Sequence, residues 1–337
     1  MNKIRLGIIG PGLIWEWAHK PVLKKLEDKF EIAAFCATSE KNKNKINQEY
    51  PVMPFYKDYK ALLREPFIDA VVILTPIPLN PVIANAALEA GKDVIMEKPM
   101  ATNVKDAEEL VRREKKTGKR IFILEQFVYK NFTDEIMKVI NSGRLGDILV
   151  FEKVHHEYIG YKEGTEDYGN TEWRINPKYP LGMLMDGGIH EIAALSKIFG
   201  KPRSVYAAGI KYRQDGYGDY DYQSMVFGYG NNSIGVFSNS YYLDGKRNYF
   251  IIRGTKGLAF FEEGLEITVE ENNGRRDIIK LKDENPTYNM WKDFSNCLES
   301  NLKPYYTTER ALDDLQILEA IKKSLENGTR INVDFKA

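Results

Sequence analysis

Lys98 closes a short apolar run, Asp93-Val94-Ile95-Met96-Glu97-Lys98-Pro99. Val94, Ile95 and Met96 read as a buried strand, which puts Glu97 and Lys98 at its carboxyl end, where open α/β sheets hold their ligands. An ammonium there can donate a hydrogen bond to an oxygen that is becoming negative, so Lys98 is the first catalytic candidate. By itself the same tripeptide is a surface turn stopped by proline. A second constellation is Leu184-Met185-Asp186-Gly187-Gly188-Ile189-His190. Residues four apart share a helix face, so Asp186 and His190 point the same way if Gly187-Gly188 leaves the helix unbroken. Imidazole takes and returns a proton near neutral pH; by spacing alone the pair is most often a helix cap and a core histidine. His155 and His156 are adjacent on a strand, point to opposite faces and do not suit one metal ion, so no metal site is expected.

The elements that must position Lys98 begin with a strand over Lys3 to Ile9, which runs into Gly10-Pro11-Gly12 and a helix over Leu13 to Leu26. Free backbone N–H groups of Gly10, Gly12, Leu13 and Ile14 at a helix start make an anion site, and Gly12 lets a pyrophosphate approach. Trp15 stands where the third small residue of such glycine motifs belongs, so helix and strand must pack differently. The next strand, Glu31 to Ala37, lacks a terminal carboxylate for the ribose of NAD. It ends Cys36-Ala37-Thr38-Ser39, with Lys41, Lys43 and Lys45 following, which favours NADP over NAD: the Thr38 and Ser39 hydroxyls can take a 2'-phosphate. Strands and helices then alternate, with strands at Asp69 to Leu74 and Arg120 to Leu124 and helices at Asn80 to Ala90 and Lys105 to Thr117. That is the pattern of a parallel, doubly wound sheet. Thr75-Pro76 ends one strand as Lys98-Pro99 ends another, together lining a cleft for a nicotinamide.

With 337 residues the chain exceeds a single core, so two domains are expected, 1–123 and 124–337. The 48 basic and 48 acidic residues cancel, which argues against nucleic acid or an anionic membrane surface as partner. Cys36 and Cys297 lack redox or metal spacing, and no apolar run spans a bilayer; a cytoplasmic protein is expected. After Gln126 come a helix from Asn131 to Asn141, a strand from Ile148 to His156, and a long loop from Tyr158 to Pro180 whose aromatics, Tyr158, Tyr161, Tyr168 and Trp173, suit either a ligand or another subunit. Strands at Val205 to Tyr212, Tyr220 to Tyr229, Ser233 to Tyr242, Asn248 to Gly254 and Leu258 to Phe261 predict one broad sheet. Its uncovered face, dense in Tyr and Phe, predicts a homodimer or homotetramer. Helices over Pro286 to Glu299 and Glu309 to Glu326 close the domain.

Gly10-Pro11-Gly12, Asp69-Ala70-Val71-Val72-Ile73-Leu74-Thr75-Pro76 and the run from Ala87 to Pro99, taken in order, resemble the glucose-fructose oxidoreductase and inositol dehydrogenase (Gfo/Idh/MocA) family. Glu125-Gln126-Phe127-Val128-Tyr129 and Gly143-Arg144-Leu145-Gly146-Asp147-Ile148 extend the likeness over essentially the whole chain. The resemblance implies an α/β fold: an N-terminal Rossmann doubly wound parallel sheet plus a C-terminal α+β domain with a large open, mainly antiparallel sheet. It further implies an NAD(P)-dependent dehydrogenase of sugars, cyclitols or related polyols, with Lys98, Asp186 and His190 catalytic. Cofactor contacts are expected at Gly10, Gly12, Leu13, Ile14, Thr38, Ser39, Thr75, Pro76, Glu97, Lys98 and Gln126, and substrate contacts at Tyr129, Lys130, Trp173 and Arg174. Asn80 replaces a frequent histidine, and Ala193 an acid often found three residues after His190. With Trp15 and Ala37, these departures motivate a rival reading, a cofactor-binding regulator without turnover.

Overall fold

The computed structural model describes residues 3–159, 168–214, 216–262 and 264–335; Tyr161 of the loop lies outside them. The chain forms two compact units, Met1–Gln126 with Pro286–Leu315, and Phe127–Asn285 with Gln316–Ala337.

The first unit holds strands β1 (Ile4–Ile9), β2 (Phe30–Cys36), β3 (Phe55–Tyr56), β4 (Ala70–Ile73), β5 (Asp93–Glu97) and β6 (Ile121–Leu124). All pair in parallel in the order β3-β2-β1-β4-β5-β6, so the order reverses between β1 and β4. Ligands of such sheets bind at that switch, at the carboxyl ends. β4 is buried throughout, as a strand covered on both faces must be. Helices α1 (Lys20–Lys25), α2 (Glu40–Glu49), α3 (Tyr59–Leu63), α4 (Asn80–Glu89) and α5 (Val104–Thr117) link the strands. α5 starts where the Asn103 side chain accepts from the Asp106 N–H and stops at Gly118, whose φ of 66° a residue with a Cβ adopts at a cost.

Two features differ from the sequence reading. The helix expected over Leu13 to Leu26 is a π turn, Trp15–His19, followed by α1. Pro21 has no N–H to return to Trp17, and the Lys20 N–H reaches back five residues to the Trp15 carbonyl instead. The wider turn buries the Trp15 indole completely, edge-on to Phe35 at 5.7 Å, which is how the chain does without a third glycine. The second difference is Pro286–Leu315, which returns to the first unit although the change of pattern suggested a single division after residue 123. Trp291 and Phe294 of that stretch pack on Phe30 and Phe122 at 5.2 and 4.9 Å.

The second unit is built on a nine-stranded sheet of β7 (Ile148–Tyr158), β8 (Ser204–Ile210), β9 (Tyr222–Gly228), β10 (Ile234–Ser240), β11 (Tyr242–Gly254), β12 (Gly257–Glu262), β13 (Glu266–Glu271), β14 (Arg276–Lys280) and β15 (Ile331–Asn332). Their order is β14-β13-β12-β11-β7-β10-β9-β8-β15, with β7 and β10 parallel and the other pairs antiparallel. Helices α6 (Asn131–Asn141), α7 (Glu172–Ile175), α8 (Ile189–Phe199), α9 (Pro286–Ser300) and α10 (Thr308–Asn327) complete the chain. Phe151 stacks on Phe199 of α8 at 4.0 Å, and Phe132 of α6 meets Phe250 at 5.7 Å. Along β7 the burial alternates, Phe151, Lys153 and His155 facing α8 and Glu152, Val154 and His156 facing away. The phenylalanines at 151, 227, 237 and 250 are thus on the covered face, and the open face presents Tyr222, Val226, Ile234 and Tyr249.

Candidate active site

In the first unit the β1 turn is shaped for close approach. Gly10 has φ +77°, and a Cβ there would lie 2.9 Å from Thr75 Cγ2 and 3.0 Å from the Leu74 carbonyl oxygen. Gly12 has only the Gly10 carbonyl within 4 Å, so a side chain there would fill the open cradle in front of the half-buried Leu13 and Ile14. That fits a bound pyrophosphate. Ser39 caps α2, its hydroxyl oxygen accepting from the Asn42 N–H at 3.1 Å; its O–H remains a donor, and Thr38 beside it is exposed. Lys43 and Lys45 lie 3.7 and 3.5 Å from Glu40 and Glu16. The Cys36 thiol is pushed up to about 11 by burial and is no nucleophile at neutral pH.

Asn80, at the start of α4, ties the two strand ends together. Its amide oxygen accepts from the Thr75 hydroxyl at 2.9 Å, and its nitrogen donates to the carbonyls of Glu97 and Pro99 at 3.1 and 3.4 Å. A side chain with one donor and one acceptor is required, which an amide supplies as well as a histidine. Lys98 follows directly, joined to Pro99 by a cis peptide bond. Glu97 turns its carboxylate to His19, with Oε1 2.8 Å from Nε2, and Trp291 lies on the other ring nitrogen.

In the second unit Asp186 lies in a π turn, Leu184–Gly188, that leads into α8, so the expected single helix is a wide turn plus a helix. A Cβ on Gly187 would lie 2.4 Å from the Tyr241 ring, and one on Gly188 2.5 Å from Leu184. The two glycines let this turn press onto β10 and the Tyr241 ring that follows it. Buried Asp186 receives the Nε–H of Arg174 at 2.6 Å, and the guanidinium lies 4.0 and 4.8 Å from the rings of Trp173 and Tyr168. Two residues read separately from the sequence, Asp186 and Arg174, are therefore partners. Burial and the charge of Asp186 push the Tyr179 phenol far up, keeping it neutral. His190 opens α8 and stacks on Phe127 at 4.5 Å, while Lys130 Nζ sits 3.0 Å from the centre of the same Phe127 ring. Tyr129 is half-buried in the short turn from Gln126 to Tyr129.

Sequence reasoning missed four side chains here. Phe127 sits beside Tyr129 and Lys130 but has no polar signal. His19 and Trp291 are 272 positions apart, beyond any motif. Glu191, next to His190, is buried with its Oε1 3.2 Å from Lys153 Nζ and 3.3 Å from His155 Nδ1. Burial alone would raise its pKa; the charge of Lys153 and the contact with His155 outweigh that and hold the carboxyl far below its usual range.

Comparison with known proteins places the chain among oxidoreductases. The scyllo-inositol 2-dehydrogenase (NADP(+)) IolW of Bacillus subtilis is 26% identical over 264 residues, 76% of this chain and 71% of its own length. The trans-1,2-dihydrobenzene-1,2-diol dehydrogenase of Mus musculus is 25% identical over 344 residues, covering 96% and 97%. A crystal structure of an oxidoreductase from Thermotoga maritima superposes with a TM-score of 0.89 at 29% identity, over 98% of this chain and 99% of that one. Residues 4–125 match the oxidoreductase family with an NAD-binding Rossmann fold, and residues 133–260 match the GFO/IDH/MocA C-terminal domain. This chain therefore belongs to the GFO/IDH/MocA family of oxidoreductases.

Proposed function

We propose that the protein is an NAD(P)-dependent dehydrogenase acting on a secondary hydroxyl of a sugar, cyclitol or related polyol, with NADP as the preferred cofactor. The observation that carries this reading is Lys98 at the carboxyl end of β5, in a unit whose Gly12 cradle is open for a pyrophosphate. The nicotinamide, when bound, accepts or returns a hydride. The backbone at Gly10 to Ile14, with Thr75, Pro76 and Gln126, holds the dinucleotide, and Thr38 and Ser39 take the 2'-phosphate. In oxidation His190 removes the hydroxyl proton as the carbon-bound hydrogen leaves with its bonding electron pair, so that a carbonyl forms. Lys98 donates to the oxygen while its charge grows, and positioned proton transfer contributes about 100-fold to 10,000-fold. Asp186, oriented by Arg174, binds a neighbouring hydroxyl, with Tyr129, Lys130 and Trp173 as further substrate contacts. Relatives named for inositol and dihydrodiol oxidation support a ring bearing hydroxyls.

A reducing, cytoplasmic setting fits the two buried free cysteines, and among the described residues no helix is long and apolar enough to cross a membrane. The open sheet face carries a shallow depression of about 460 Å³ lined by His156, Tyr222, Ser238 and Tyr249, a surface suited to pairing in a homodimer or homotetramer. The test is mass spectrometry of cofactor retained on the purified protein, then absorbance of the reduced nicotinamide with a polyol and sugar panel. NADP retention with turnover on a polyol is expected. Retained cofactor with no redox on any member would replace this reading by a non-catalytic regulator.

A further inference from the structure

A polar chain behind Lys98 runs entirely inside the first unit. The indole N–H of Trp291 donates to His19 Nδ1 at 3.1 Å, and His19 Nε2 lies 2.8 Å from Glu97 Oε1. An indole nitrogen only donates, so Nδ1 must be the bare nitrogen and Nε2 the one that carries hydrogen. His19 therefore donates to Glu97 as a neutral ring. A proton on Nδ1 would set N–H against N–H, with Trp291 fully buried and His19 only 2% exposed, where water does not replace the lost partner. Glu97 Oε1, on a side chain 13% exposed, accepts that hydrogen. The backbone of the same residue is held by Asn80. Two features of the chain serve this arrangement: the π turn Trp15–His19, which delivers His19, and the returning helix α9, which delivers Trp291.

We infer that Trp291 and His19 are positioning residues for the strand end that carries Lys98. Trp291 fixes the His19 tautomer, and His19 in turn fixes the Glu97 side chain at the end of β5. The inference rests on the role given to Lys98 above. Lys98 is aligned by the end of β5, and that end is held through Glu97 at both its side chain and its carbonyl. Trp291→Phe keeps an aromatic ring against Phe30 and Phe294 and removes the donor together with part of the ring volume.

The protein has four histidines, so ring ¹⁵N spectra of histidine-labelled protein resolve them, with His19 assigned by its loss in His19→Gln. The parent should show His19 as the neutral Nε2–H form, and Trp291→Phe should mix the tautomers. In steady-state assays Trp291→Phe should lower kcat by about 10-fold to 100-fold and leave KM for substrate and cofactor within about twofold, the signature of misalignment. His19→Gln, whose amide nitrogen can stand in for Nε2–H, should recover most of the rate that His19→Leu loses. An Nδ1–H tautomer in the parent, an unchanged kcat in Trp291→Phe, or equal losses in the Gln and Leu variants would each overturn the inference. A parent without turnover on any polyol sinks the proposed hydride transfer instead; the imidazole spectra then still decide, and a His19 tautomer indifferent to Trp291→Phe overturns the positioning role.

Discussion

Each unit buries a histidine against a carboxylate, and the two pairs are made differently. In the first, His19 is set between an indole donor and Glu97, and the indole fixes it as a neutral ring. In the second, His155 lies 3.3 Å from Glu191 and 3.6 Å from Glu157, with Lys153 on the same Glu191 oxygen. Burial opposes a charge on His155, but the two carboxylates outweigh it and hold its pKa above the ordinary 6.5. The same residue type is thus neutral in one place and favoured as a cation in the other, and its partners decide which. The neutral chain fixes the strand end that precedes Lys98. A cluster of opposite charges cancels internally and serves to hold β7 against α8, beneath His190.

The largest blow to this comparison comes from Glu191→Gln. It leaves Lys153 and His155 buried without their shared carboxylate and should destabilise the protein by about 3–5 kcal/mol. Chemical denaturation measures it, and a cost under about 1 kcal/mol would mean the cluster is not an ionic lock. Lys98→Met tests the other side: turnover should fall at least about 100-fold with cofactor affinity nearly intact, as the role proposed for Lys98 in the reaction requires. Unchanged turnover removes Lys98 from the mechanism.

A pH series sharpens the contrast. The folded pKa of His155 is raised, so its contribution is complete below 6.5 and is lost as pH climbs through the raised value. Glu191 is depressed, so its contribution is present above 4.5 and is lost as pH falls. Melting temperature should therefore decline on the alkaline side in the parent, and His155→Asn should remove that component; an unaltered profile would show that His155 is not charged when folded. The smallest effect belongs to the neutral network. Thr75→Val takes one hydrogen bond from Asn80 and should cost about 1 kcal/mol. A cost matching that of Glu191→Gln would erase the distinction between the two regions.

What was legible in the sequence were features with a short-range cause. Lys98 and Thr75 could be placed at strand ends because β4 and β5 are continuous apolar runs in a strict alternation of strands and helices. Trp15 could be recognised as misplaced, yet its consequence, a π turn, depends on Pro21 and on a pocket against Phe35 that no spacing rule contains. Asp186 and Arg174 were each named, but their pairing crosses a loop that carries no period. β13 and β14 were overlooked because Glu266–Glu271 ends in two adjacent carboxylates and Arg276–Lys280 places Asp277 and exposed Ile278 against the apolar-in, polar-out alternation of a strand. Trp291 was out of reach altogether, since only the folded chain returns α9 to β2.

That return has a consequence for biosynthesis. Residues 1–126 emerge from the ribosome long before Trp291, so His19 and Phe30 wait uncovered while most of the second unit is being made. The nucleotide-binding unit is finished only when the stretch to Leu315 arrives, and a translation product broken off before that point cannot assemble the strand end that bears Lys98 in its final form.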